Sequence, residues 1–162
     1  MPGPEDYRLN DHQSGSAAPA VNIDKLAQRL DDAIQALEES RSFTKAGKLP
    51  RVLDIARRYQ LVVISDEIHC DLILDDVPHV PFASINEDAT NRTITLMAPS
   101  KTFNVAGLGY AFAVIANPTL RTAFNNAKAG LVPFPNLLGL IAANAAFGEG
   151  QDWHESLLTY LK

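Results

Sequence analysis

A chain of 162 residues, 46% hydrophobic and 20% charged, is long enough for one domain with a real core and ordinary for a soluble globular protein. A net charge of -5 without any run of Lys or Arg argues against a nucleic-acid surface, and the single cysteine, Cys70, excludes an intrachain disulfide and a multi-cysteine zinc site. No apolar stretch reaches bilayer length, and the N-terminus carries Glu5 and Asp6 in place of an apolar signal core, so the expectation is a cytoplasmic protein without a membrane partner.

Residues 1–21 are rich in Gly, Pro, Ser and Ala and lack periodicity, which predicts a disordered leader ahead of a domain over 22–162. Ile23, Leu26, Leu30, Ile34 and Leu37 recur at helical spacing over 23–40, with Asn22 or Asp24 able to cap. Pro50 suits a first helical turn, and Val52, Leu53, Ile55, Ala56 and Tyr59 continue that helix. Leu61 to Ser65 reads as a fully apolar strand in a sheet covered on both faces. Asp71 to Pro81 reads as a loop, with a short extended piece at Leu72, Ile73 and Leu74. Thr93 to Met97 is the second strand and Tyr110 to Ala116 the third. Their connection is too short for a crossover helix, so the third strand should run antiparallel to the second if the two are neighbours. Pro118 to Lys128, Asn136 to Phe147 and Gln151 to Lys162 read as helices, the last with Trp153, Leu157, Leu158 and Leu161 on one side. Gly148, Glu149 and Gly150 should end the middle one. The pattern is of the layered α/β class, with few strands for such a sheet.

Lys101 is the most informative residue. It follows a buried-looking strand, where desolvation would lower its pKa and favour the neutral, nucleophilic amine that forms an imine with an aldehyde cofactor. Asp66 ends the first strand. An amine and a carboxylate at two strand ends suggest pyridoxal 5'-phosphate, with Asp66 keeping the pyridine nitrogen protonated. Asp66, His69, Cys70 and Asp71 are also potential metal ligands, but their spacing matches no closed or catalytic motif, and no metal is expected. His69 can reach a ring oxygen of the cofactor or make an ordinary polar contact, and the sequence leaves both open. Ala98 and Ser100 permit close approach to a phosphate, to which the Ser100 hydroxyl can donate. Phe103 reads as core, Asn104 as a turn or site residue, and Gly107 and Gly109 as turn geometry.

The run Ser65-Asp66-Glu67-Ile68-His69-Cys70-Asp71-Leu72, followed by Ala98-Pro99-Ser100-Lys101-Thr102-Phe103-Asn104-Val105-Ala106-Gly107-Leu108, resembles the class I/II aminotransferase superfamily. His69, at a position where many aminotransferases carry a tyrosine, is similar to the carbon–sulphur β-lyase branch of cystathionine β-lyase type, as are Pro81 to Ser84, Leu137 to Leu140 and Trp153. The resemblance runs from about Arg41 to Lys162. It implies a partial three-layer large domain of fold type I, with a mainly parallel sheet, one antiparallel strand and helices on both faces. It implies Lys101 as the Schiff-base lysine, Asp66 at the pyridine nitrogen, His69 near the ring hydroxyl and Ser100 near the phosphate. It further implies an amino-acid substrate, transamination or β-elimination as the reaction, and a homodimer. Related enzymes also carry an Asn-Pro-x-Asn-Pro-x-Gly turn where Leu37 to Arg41 stand here, and many carry a phosphate-binding arginine where Gly109 stands. Their upstream phosphate loop and C-terminal small domain have no counterpart in this sequence. The expectation is therefore the middle third of such an enzyme, with a catalytically incomplete remnant of the fold as the alternative.

Overall fold

The computed structural model describes residues 24–25, 28–29, 31–32, 35, 48–75 and 77–162. Of the helix expected over 23–40, the described positions are helical, while its apolar residues and the leader over 1–21 lie outside the described residues. Helix α1 spans Lys48–Arg58 and buries Leu53 and Ala56. It leads to strand β1, Val63–Asp66. A 3-10 turn at Phe82–Ser84 and a short helix α2, Glu87–Arg92, precede strand β2, Thr93–Met97. A second 3-10 turn at Ala106–Leu108 leads to strand β3, Phe112–Val114. Helices α3, Pro118–Lys128, α4, Leu137–Glu149, and α5, Gln151–Leu161, follow.

The sheet order is β1-β2-β3. β1 pairs parallel with β2, Val63 opposite Thr93 and Asp66 opposite Leu96. β3 pairs antiparallel with β2, Met97 opposite Phe112, as the short connection requires. The parallel pair needs a crossover, and α2 lies within it. Its start was legible in Asn86-Glu87-Asp88: Asn86 caps by accepting from the Ala89 N–H at 2.9 Å, and the two carboxylates sit in the first turn. No helix is expected here from apolar spacing, because the six residues of α2 carry no helical apolar period. Arg92, at the end of α2, donates to the Leu61 carbonyl at 3.2 Å and so ties the crossover to the entrance of β1.

Leu53, Phe82 and Ala89 form the main core cluster, with Leu49, Val52, Val63 and Ile85 packed against it. Strand β1 departs from the expected pattern. It begins two residues later than predicted, at Val63, and alternates in burial, with Ile64 65% exposed beside half-buried Val63 and Ser65. Cover on both faces is therefore absent for β1 among the described residues; only the central strand β2 has its first three residues buried. β3 is shorter than expected because its pairing with β2 ends at Val114. Residues 72–74 belong to no strand. Helix α4 continues through Gly148 and Glu149, and Gly150 closes α4 and opens α5. On α5, Leu157 and Leu158 are half-buried, while Trp153 and Leu161 stay close to half exposed.

Candidate active site

Parallel pairing puts the carboxyl ends of β1 and β2 at one edge of the sheet. Asp66 is the last residue of β1, and the turn through Pro99, Ser100, Lys101 and Thr102 leaves β2 at the same edge. In open α/β sheets this edge is where ligands bind. The expected site residues Asp66, His69, Ser100 and Lys101 all belong to segments that start there.

The lysine turn is rigid. Pro99 is fully buried, Thr102 is 1% exposed, and the Phe103 N–H donates to the Pro99 carbonyl at 2.9 Å. The Thr102 hydroxyl reaches the Asp71 carboxylate at 3.4 Å, linking the two motif segments. Phe103 packs edge-on against Phe147 at 5.7 Å between centroids and lies 5.9 Å from Trp153. It is thus a packing residue, as expected. A Cβ on Gly150 would lie 2.6 Å from the Phe103 ring, so glycine is what lets the α4–α5 joint meet this turn. The His154 ring on α5 donates from Nε2 to the Asp71 carbonyl at 2.7 Å, which fixes the proton on that nitrogen. Asn104 adopts φ 53°, the left-handed region that asparagine tolerates, which makes it a turn residue. Gly109 has φ 59° and terminates the 3-10 turn, whereas Gly107 shows no such need.

The first motif segment is held by a residue the sequence reading passed over. Glu67 is 6% exposed. Its carboxylate accepts from the Ser65 hydroxyl at 2.8 Å, from His79 Nε2 at 2.9 Å and from the Phe82 N–H at 3.1 Å. Burial pushes its pKa up, but the bonds from His79, Ser65 and Phe82 outweigh that and hold it below the ordinary carboxylate range. The sequence offers one signal, a carboxylate beside an apolar run, which needs partners to stay ionised if it is buried. Its distant partner His79 could not be read from spacing. Burial, then the Asp71 charge, pushes the Cys70 thiol up to about 11, so it stays protonated near neutrality and is a poor nucleophile or metal ligand. No group of three metal-binding side chains occurs among the described residues.

The expected cofactor residues contrast with this framework. Lys101, Asp66 and His69 are exposed, and Ser100 is half-buried. The desolvated surroundings expected for Lys101 are not supplied by the described residues; the turn points it outward while Pro99 and Thr102 face in. Neither the Lys101 amine nor the His69 ring pairs with another described residue, and Asp66 accepts only a long 3.4 Å contact from the Ile68 N–H. An amine, a carboxylate, an imidazole and a hydroxyl therefore stand at one sheet edge free of structural duties, a donor set that fits an anionic pyridine aldehyde.

The family model for aminotransferase class I and II matches residues 43–162. This chain belongs to that family. Within the aminotransferase class I and II family it is 32% identical over 158 residues to cystathionine beta-lyase PatB of Bacillus subtilis, covering 90% of this chain and 40% of PatB. The crystal structure of OvoB superposes with a TM-score of 0.70 at 51% identity, covering 74% of this chain and 31% of OvoB. Cystalysin from Treponema denticola, whose structure contains a pyridoxal 5'-phosphate cofactor, gives a TM-score of 0.66 at 36% identity, over 74% of this chain and 30% of cystalysin. The chain thus spans well under half the length of these relatives. The fold type I architecture expected from the two motifs stands, and the expected likeness to carbon–sulphur β-lyases is met by relatives named cystathionine beta-lyase. No helix among the described residues is long and apolar enough to cross a membrane.

Proposed function

We propose that residues 22–162 form part of the large domain of a cytoplasmic pyridoxal-phosphate enzyme that acts on amino acids, as an aminotransferase or a carbon–sulphur β-lyase. The observation that supports this reading is the parallel pairing of β1 with β2, which brings the Asp66 end and the Lys101 turn to one edge. Lys101 holds the cofactor covalently through its amine, Asp66 holds the proton on the pyridine nitrogen, His69 contacts the ring hydroxyl and Ser100 donates to the phosphate. When bound, pyridoxal phosphate supplies a conjugated ring that accepts the electron pair left as an amino-acid Cα loses its proton. The free Lys101 amine takes that proton as general base. The Asp66 carboxylate favours the charged ring by a fixed opposite charge. Both transamination and β-elimination use the same lysine and aspartate. A homodimer is part of the proposal, tested by light scattering.

The test is addition of pyridoxal phosphate to the full chain, borohydride reduction and peptide mapping. A reduced pyridoxyl group on Lys101, lost in Lys101→Ala, is the expected result; a labelled Lys101→Ala chain would contradict the assignment. A second reading, an incomplete remnant of the fold, is favoured by the exposure of Lys101, Asp66 and His69. Labelled Lys101 without turnover of cysteine-type thioethers supports it.

A further inference from the structure

We propose that Glu67 is a positioning residue for the cofactor site: it fixes the direction of Asp66 and His69 by clamping the turn between them to the 79–82 segment. The proposal rests on the reading of Asp66, His69 and Lys101 given above. Glu67 itself is buried and acts through the backbone and its neighbours.

Its backbone does two things. The Glu67 N–H donates to the Leu96 carbonyl at 3.0 Å, so pairing with β2 continues one residue beyond Asp66. The Glu67 carbonyl accepts from the Cys70 N–H at 3.0 Å, which closes a turn with Ile68 and His69 at its centre. The His69 carbonyl in turn accepts from the Leu72 N–H at 3.0 Å. Asp66 and His69 therefore flank one fixed backbone unit. Exposed and nearly unpaired, they have little of their own to hold them.

The Glu67 side chain anchors that unit to the rest of the fold. It faces Ser65 on its own strand, His79 from the loop, and the Phe82 N–H at the start of the 3-10 turn. Phe82 belongs to the main core cluster with Leu53 and Ala89. The carboxylate thereby connects a surface turn to the best-packed part of the molecule. Three donors converge on it, and a glutamine cannot replace it fully, because its amide nitrogen donates where the second oxygen accepts. A site held this way is preorganised by its supporting residues.

The experiment uses the full chain as wild type, Glu67→Gln, His79→Ala and Ile115→Ala. Ile115 is buried just beyond β3, at the sheet edge opposite Lys101, and reports general destabilisation. The first measurement is amide hydrogen exchange. Glu67→Gln should accelerate exchange at Ile68, His69, Cys70 and Phe82 about tenfold, selectively, and His79→Ala less but at the same amides. The second is titration with pyridoxal phosphate across pH. Glu67→Gln should weaken binding by about tenfold and move the pH midpoint of the visible adduct band, while Ile115→Ala leaves that midpoint in place. If Glu67→Gln does not fold, His79→Ala decides by the same measurements. Unchanged midpoints together with exchange no faster at 68–70 than in Ile115→Ala would overturn the proposal. Should wild type form no adduct at Lys101, the cofactor reading fails separately. Exchange then decides the clamp, selective acceleration supporting it and uniform acceleration overturning it.

Discussion

The carboxyl edge of β1 and β2 and the face of helix α4 solve opposite problems. At the edge, the supporting polar groups are matched while the expected cofactor residues stay exposed: buried Glu67 has three donors and buried Thr102 meets Asp71, with Pro99 buried in the lysine turn. Along α4, Phe147 meets Phe103 and Phe112, but the apolar groups of its first turns are largely uncovered. Leu137 is 69% exposed, Leu138 67% and Ile141 56%, and only Gly139 and Ala143 are buried. A helix apolar all round normally sits in a core. The groups that support the turns are thus paired within the described residues, whereas α4 has a face for which they provide no cover.

Changes at four positions test that contrast. The largest effect is expected at Cys70. Its thiol is pushed up to about 11 from an ordinary 9.0, so alkylation near pH 8 should run about a hundredfold slower in the folded chain than in urea. Equal rates would mean the motif segment is open. Next, Glu67→Ala leaves the Ser65, His79 and Phe82 donors without their acceptor and should cost about 2–3 kcal/mol in denaturant unfolding. The same group makes stability depend on pH. Its folded pKa lies below the ordinary 4.5, so the unfolded chain binds the proton first; the contribution is full above about pH 4.5 and is lost as pH falls through the folded value. The urea midpoint of wild type should fall in that window more steeply than that of Glu67→Gln. Gly150→Ala comes third. The new Cβ would press on the Ala146 carbonyl and lie 2.6 Å from the Phe103 ring, at a cost of about 1–3 kcal/mol in thermal unfolding, with loosened packing of the lysine turn. The smallest effect belongs to the exposed apolar stretch just ahead of α4. Phe134 is 98% exposed, so Phe134→Ser should change stability by less than about 0.5 kcal/mol while lowering binding of an apolar dye.

Much of this is legible in the amino-acid sequence. Helix α3 has the bounds read from Asn117-Pro118 and the polar end at Lys128, because cap chemistry is local: Asn117 accepts from the Thr119 N–H at 2.9 Å and the Leu120 N–H at 3.1 Å. β2 was found to the residue, since a central strand buried at Thr93, Ile94 and Thr95 shows itself as an unbroken β-prone run. The antiparallel third strand followed from connection length alone. Asp66 is expected at the end of the first strand and Lys101 in the loop just past the second; β1 ends at Asp66, and Lys101 lies in the turn that leaves β2.

What the sequence determined by itself was local: caps, strand runs, turn residues, and two motifs whose residue order marks the family. Tertiary structure decided which of those residues carry structure and which remain available. Asp66 and Glu67 are adjacent carboxylates, yet one is exposed and the other buried with three donors. Burial and pairing depend on groups distant in the chain, here His79 and Phe82 for Glu67, and Asp71 with His154 beneath the lysine turn. Such contacts form only when the chain closes on itself, and no local spacing encodes them.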